Sequence, residues 1–226
     1  MSKPMELNPG LSQLLVEGVD AKFFCMWACR AYGFKHIQIQ DFGGINDLDD
    51  FLDMIKVLPN YEKVPAILIV RDAETNPEGA IQSIQESLKK NDFVVPAKPY
   101  SYLTGKPSIE FAILPGNTNS EGKYCPGALE DLCMLTVKTE PILKHVDKFL
   151  ESIQSEIILT HFHKSRLHSY LAVNNKFVGM KLGEAAKAGA WDWKHPNFSK
   201  LKQALLDIEQ VALSATQETQ QILQFP

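Results

Sequence analysis

The chain is poor in the features that mark several large classes of protein. No apolar run approaches the roughly 18–20 residues that a membrane-spanning helix needs, so contact with a bilayer is not expected. The first six residues, MSKPME, lack the charged-then-apolar layout of a secretory leader, and a cytoplasmic location is expected. Basic excess is missing too. Lys and Arg number 23 against 27 Asp and Glu, a net charge of −4, which disfavours a protein that grips nucleic acid through many non-specific phosphate contacts. A metal-dependent enzyme is compatible with that balance, because its carboxylates lower the count while bound cations neutralise them locally. Cysteine is scarce, at four. The spacings of Cys25, Cys29, Cys125 and Cys133 fit no common zinc pattern, and reduced structural thiols are expected. No dinucleotide or phosphate-loop fingerprint surrounds Gly43-Gly44, and no repeat or low-complexity tract is present.

What is present is ordinary globular material, 45% hydrophobic and 22% charged, within the usual soluble range. Apolar runs over residues 11–17, 35–42, 65–71 and 108–114 read as strands, and 92–96 as an edge strand. Helical spacing occupies 20–32 with Gly33 as its stop, 48–58 with Asn46 as cap, 77–90 behind Pro77, and 127–137. Strand and helix alternate, which predicts an α/β fold: a mostly parallel, four- to five-stranded Rossmann-like sheet with helices on both faces. Beyond Glu140 helical periodicity dominates, at 141–157, 164–173, 182–188 and 197–215. The expected organisation is an α/β domain over residues 1–140 and a helical C-terminal part, 141–226, packed on it.

Functional groups in parallel sheets gather where strands end at their carboxyl edge. Here the first strand ends at Glu17-Gly18 and the third at Asp72-Ala-Glu74, while the loop after the last leads to Glu130-Asp131. In an extended backbone Asp72 and Glu74 point to one side, so both carboxylates can face one cation. Mg²⁺ takes hard oxygen ligands and keeps several waters, so one or two carboxylates and a substrate phosphate suffice. Several acids in one pocket repel each other unless a divalent ion compensates.

The string Leu15-Val16-Glu17-Gly18-Val19-Asp20, the Gly43-Gly44 turn and the acid-x-acid motif at 72–74 resemble the TOPRIM domain. That domain is shared by topoisomerases, bacterial primases, recombination-repair proteins and nucleases of the overcoming-lysogenization-defect type. The segments ILPGN (113–117) and GALEDL (127–132) are similar to those of small stand-alone TOPRIM-like proteins of prokaryotes. The likeness spans residues 10–140 and returns weakly at 164–172. It implies a Mg²⁺- or Mn²⁺-dependent nuclease acting on DNA or RNA, with a separate ATPase or other protein as a partner. By the same resemblance Glu17 is a general acid/base or metal ligand, Asp72, Glu74 and Glu130 are metal ligands, and Lys164 neutralises the scissile phosphate. Glu74 stands where the pattern has Asp, and Ala21 where some members carry an acid; both departures weaken full two-metal catalysis.

Other candidates have plainer readings. His161-x-His163 has no third ligand at suitable spacing and reads as surface histidine. Lys164, Arg166 and His168 also suit an exposed helix face, and Trp191 and Trp193 suit packing better than base stacking. The chain is too short for a topoisomerase gate and lacks a primase's zinc-binding part. A partner-binding module on the same fold is the competing function. The Gln-rich tail, 217–224, leaves room for an oligomer.

Overall fold

A computed structural model describes residues 6–44 and 46–224, with side chains given as far as residue 217. The first five residues, on which the expectation about a leader rests, lie outside it, as do the side chains of most of the Gln-rich tail.

The four long apolar runs form strands: β1 (Ser12–Val16), β2 (Ile37–Asp41), β3 (Ala66–Asp72) and β4 (Ser108–Leu114). Among the described residues they make one sheet, ordered β2-β1-β3-β4, with every neighbouring pair parallel. All of β1 and β4 and six of the seven residues of β3 are buried. A parallel strand covered on both faces needs apolar side chains on both, which is why these runs do not alternate. The edge strand β2 is half-buried throughout and alternates Ile with Gln.

Helices α1 (Val19–Tyr32), α2 (Leu48–Lys56), α3 (Pro77–Lys90) and α4 (Leu129–Thr136) follow the strands in turn. Gly33 ends α1 in the left-handed conformation at φ 78°, which glycine adopts without strain. Asn76 caps α3, its side-chain oxygen accepting from Gly79 N at 3.0 Å. The cap of α2 is Asp47, not Asn46. Its carboxylate turns back to accept from Gly44 N at 2.7 Å, and no side chain caps the helix. The C-terminal part supplies α5 (Leu143–Gln154), α6 (Phe162–Ala172), α7 (Leu182–Lys187) and α8 (Ser199–Gln224). Asn197 does not cap α8, since it lies inside the short turn Pro196–Phe198 that precedes it.

The expected edge strand at 92–96 does not form. Asp92 is left-handed at φ 59°, and the carbonyls of Pro96 and Ala97 accept from Gln85 Nε2 of α3. Proline has no N–H to give a ladder. The free edge of β4 is instead covered by residues 100–103, with Tyr100 N donating to Phe111 O and Leu103 exchanging both backbone bonds with Ile109.

Two apolar layers sandwich the sheet. Leu14, Val16, Leu68, Val70, Ala112 and Leu114 pack toward α1 and the helices from α4 to α8. Leu15, Ile67, Ile69, Ile109, Phe111 and Ile113 pack toward α2 and α3. Polar pegs fix α8 on its layer. Ser12 Oγ donates to Ile208 O at 2.7 Å, and the Glu209 carboxylate accepts from the N–H groups of Lys35 and His36. Trp191 and Trp193 serve packing: Trp191 is buried and stacked on Tyr170, while Trp193 lies against Phe24, Tyr32 and Phe198. All four cysteines are free. Burial pushes the Cys29 thiol up to about 12 and those of Cys25 and Cys133 well up, as inert structural thiols require.

Candidate functional site

The site is built at the carboxyl edge of the sheet, where β1 and β3 run out side by side with Val16 opposite Val70. Glu17 follows β1 directly. The next residue, Gly18, turns the chain into α1 at φ 85°, a conformation rarely open to other residues. Asp41, the last residue of β2, pins this turn, since one carboxylate oxygen accepts from Gly18 N and Gly43 N, each at 2.9 Å. Nothing in the sequence singled Asp41 out. Asp41→Ala is expected to lower stability by about 1–2 kcal/mol, because two backbone donors lose their acceptor. Urea unfolding measures it, and an unchanged midpoint would remove Asp41 from this role.

Strand alternation sorts the residues of β3. Ile67 and Ile69 belong to the α2–α3 layer, and Arg71 follows them, its Nη1 donating to Ser83 Oγ of α3 at 3.0 Å. There it meets Glu17, with Arg71 Nε 3.5 Å from Glu17 Oε2 and side-chain exposures of 3% and 19%. Leu68 and Val70 belong to the opposite layer, and Asp72 follows them. Its Oδ1 accepts from Leu129 N at 2.9 Å, so the carboxylate rests on the N-terminus of α4, the positive end of a helix. Asp131 serves the same helix end by accepting from Ala128 N at 2.9 Å, which gives it a structural task.

Glu74 departs from expectation. The strand stops at Asp72, and Glu74 is left-handed at φ 50°. It exchanges two backbone hydrogen bonds of 2.8 Å with Gly127, so strand alternation does not reach it and cannot place it beside Asp72. That same bridge carries in the chain leading to Glu130. Glu130 is 9% exposed, not a solvated helix residue. Lys164 is exposed on α6, and Arg166 is not free, since it forks onto Asp147 of α5 at 2.7 and 3.0 Å.

The charges show what has been brought together. Burial pushes the Asp72 carboxyl well above the usual carboxylate range; the charges of Glu130, Glu17 and Glu74 push it further, against the Leu129 N–H. Glu17 is also raised, first by burial; Arg71 and Lys164 pull it back down, and Glu74 adds to the rise. Burial lowers Arg71, with Glu17, Asp72 and Glu74 opposing. Glu17 thus feels Arg71, Glu74 and Lys164, while Asp72 feels Glu130, Glu17 and Glu74; Arg71, which in the sequence is only the end of a hydrophobic strand, is a further member of this set. The available signal was a cation inside the run PAILIVRD, where a charge is costly unless paired.

A hard divalent cation meets a mixed test here. Among the described residues no three of His, Cys, Asp and Glu are grouped to hold a metal ion, and His161 and His163 lie edge to face at 6.2 Å without such a partner. Yet the charges of Glu130, Glu17 and Glu74 still push Asp72 up despite the Leu129 N–H, the condition a cation corrects, and two carboxylates with water satisfy Mg²⁺. The residues fit a largely hydrated ion on the Asp72–Glu130 side, not a protein cage.

Fold and site together define a parallel α/β protein with an acidic centre at the carboxyl edge of its sheet. The chain belongs to the family described as a protein of unknown function (DUF3226), whose model matches residues 11–210. No curated protein matches the sequence. Similar solved structures include the C-terminal region of the Xanthomonas campestris pv. campestris OLD protein phased with platinum, at 13% identity and a TM-score of 0.47. That comparison covers 92% of this chain and 96% of the other. The same region phased with mercury gives 13% identity and a TM-score of 0.45, covering 90% and 97%. No helix among the described residues is long and apolar enough to cross a membrane.

Proposed function

We propose that this chain is a Mg²⁺- or Mn²⁺-dependent nuclease of the TOPRIM type, acting on DNA or RNA phosphodiesters. The observation that carries the reading is the charge around Asp72, a carboxyl raised first by burial and then by Glu130, Glu17 and Glu74, beside a Glu17 on which Lys164 acts. Such clustering of shifted groups marks sites built for chemistry. Asp72 and Glu130 are the residues that would hold the ion. Bound there, it would supply Lewis-acid stabilisation of charge on the transferred phosphoryl group.

The remaining work falls to the chain itself. Glu17, raised by burial and steadied by Arg71, takes the proton of an attacking water at its carboxylate, as a general base tuned toward neutrality does. Lys164 projects from α6 with its charge felt at Glu17, and offers its ammonium to a phosphate oxygen. The Glu74–Gly127 bridge holds the loop that brings Glu130 to Asp72.

The test is cutting of supercoiled plasmid and of single-stranded RNA with Mg²⁺ or Mn²⁺, repeated with EDTA. Cutting of one substrate that EDTA abolishes is the expected result. No cutting under any condition, or cutting that EDTA leaves intact, ends the nuclease reading. A second reading, a partner-binding module on this fold, draws on the Arg71–Glu17 contact and on the absence of a three-ligand group among the described residues. Ion binding without cutting favours it.

A further inference from the structure

We infer that Arg71 is a resident cation standing where a second divalent ion would sit, so that the acidic centre takes one ion on the α4 side of the sheet edge and none on the α3 side. The inference rests on the metal reading above and adds how many ions the site accepts, where, and why.

Alternation on two adjacent strands divides the acids. On the α3 side lie Glu17 and Arg71; on the α4 side lie Asp72, against the helix N-terminus, and Glu130, the first of the acidic charges acting on it. Arg71 is 3% exposed. Its Nη1 is held by Ser83, but among the described residues its Nε has no hydrogen-bond partner, and neither has the buried Glu17 Oε2 that faces it at 3.5 Å. A guanidinium sunk to this depth beside an acid, with that edge unbonded, acts as a charge more than as a donor. Its charge answers Glu17, Asp72 and Glu74 together.

Arg71 Nε lies 3.5 Å from Glu17 Oε2, so the guanidinium already holds the space beside the carboxylate that a second ion would need. A divalent ion placed on Glu17 would therefore meet a fixed guanidinium at close range, and like charges at that distance disfavour it. Glu17 is left as a positioned acid–base group and not a ligand. Arg71 touches no reacting atom in this arrangement and is a positioning residue for Glu17. Glu74, left-handed and outside the strand, is not aligned by strand alternation to serve a second ion beside Asp72.

Mn²⁺ binding, counted by electron paramagnetic resonance of the free ion and by calorimetry, tests this without reference to activity. The wild-type chain is expected to bind one ion. Arg71→Met, which keeps the length of the stem and removes the charge, is expected to bind two, and Arg71→Lys one. Glu17→Gln should leave the wild-type count unchanged, whereas Asp72→Asn should abolish it. Two ions on the wild type, or loss of the ion in Glu17→Gln, overturns the assignment whether or not the Arg71 variants fold. One ion on both wild type and folded Arg71→Met overturns the role of Arg71 alone and leaves the metal reading standing. No ion on either removes the metal reading as well.

Discussion

Asp72→Asn is expected to abolish metal-dependent cutting, by at least about 100-fold, while making the protein more stable at neutral pH. The first effect follows from losing a carboxylate that would hold the ion; even residues that only orient metal ligands contribute about 10–100-fold. The second follows from the sign of the shift. The folded-state carboxyl is raised well above its ordinary 3.8 by burial and by Glu130, Glu17 and Glu74. Below 3.8 Asp72 is neutral in both the folded and the unfolded chain and costs nothing. As pH rises through the window between the ordinary and the raised value, the unfolded chain releases its proton first, and folding stability falls. Asparagine can keep an oxygen for Leu129 N and never ionises, so its advantage over wild type grows across that window. Mg²⁺ should raise the wild-type melting temperature by binding the folded state alone, and leave Asp72→Asn unmoved. Cleavage assays with thermal unfolding at pH 3.5 and 7.5 measure all three effects. A variant that cuts normally, or that melts lower than wild type at pH 7.5, would contradict this account.

Glu110→Gln should stabilise the chain by about 2–3 kcal/mol at pH 8 and by little at pH 4. Glu110 lies on β4, opposite Leu68 of β3, and is 1% exposed. Its Oε2 has no hydrogen-bond partner among the described residues. Burial, and then the charge of Asp207 on α8, push its carboxyl from 4.5 up to about 7. Below pH 4.5 both folded and unfolded chains hold the proton, and the position has no linked effect. Between 4.5 and 7 the folded chain keeps a proton that the unfolded chain has lost, so stability declines as pH rises. Above 7 the slope ends with the full penalty in place. Glutamine has nearly the same shape and no charge to bury, so the effect appears as a difference between two pH profiles of the denaturation midpoint. Taking the difference matters, because Asp72 and Glu17 add slopes of the same sign. Parallel profiles for variant and wild type would place the Glu110 carboxyl in contact with water.

Much of the fold was legible because burial leaves a mark on composition. The run through β3 is apolar on successive residues since both its faces are covered, and Pro77 and Gly33 announce a helix start and a helix stop. Elsewhere a local preference gives way to another partner. The segment 92–96 has strand-like residues, yet its carbonyls serve Gln85 and its proline cannot join a ladder. Asn46 is a good cap in isolation, but the helix begins one residue later, at the cap position of Asp47, whose carboxylate serves the nearby Gly44 turn instead.

The candidate site divides in the same way. Glu17, Asp72, Glu74 and Glu130 could be picked out from their places at strand ends and from the motifs around them. Their placement about the sheet edge could not. Alternation was extended through Glu74, whereas the pairing with Gly127 ends the strand two residues earlier. Arg71 reads in one dimension as the end of an apolar run; its meaning depends on Glu17 from a neighbouring strand and Ser83 from a helix. Asp41 is silent until β2 lies beside β1 and its carboxylate reaches Gly18.

By itself the sequence determined the strands, the parallel α/β class and the stock of acids, because hydrophobic burial and backbone propensity act over a few residues and leave local patterns. The tertiary structure alone decided which acid faces a helix end, which faces an arginine and how strongly each carboxyl holds its proton. Those outcomes depend on distance and desolvation, which exist only once β1, β3 and α4 have met.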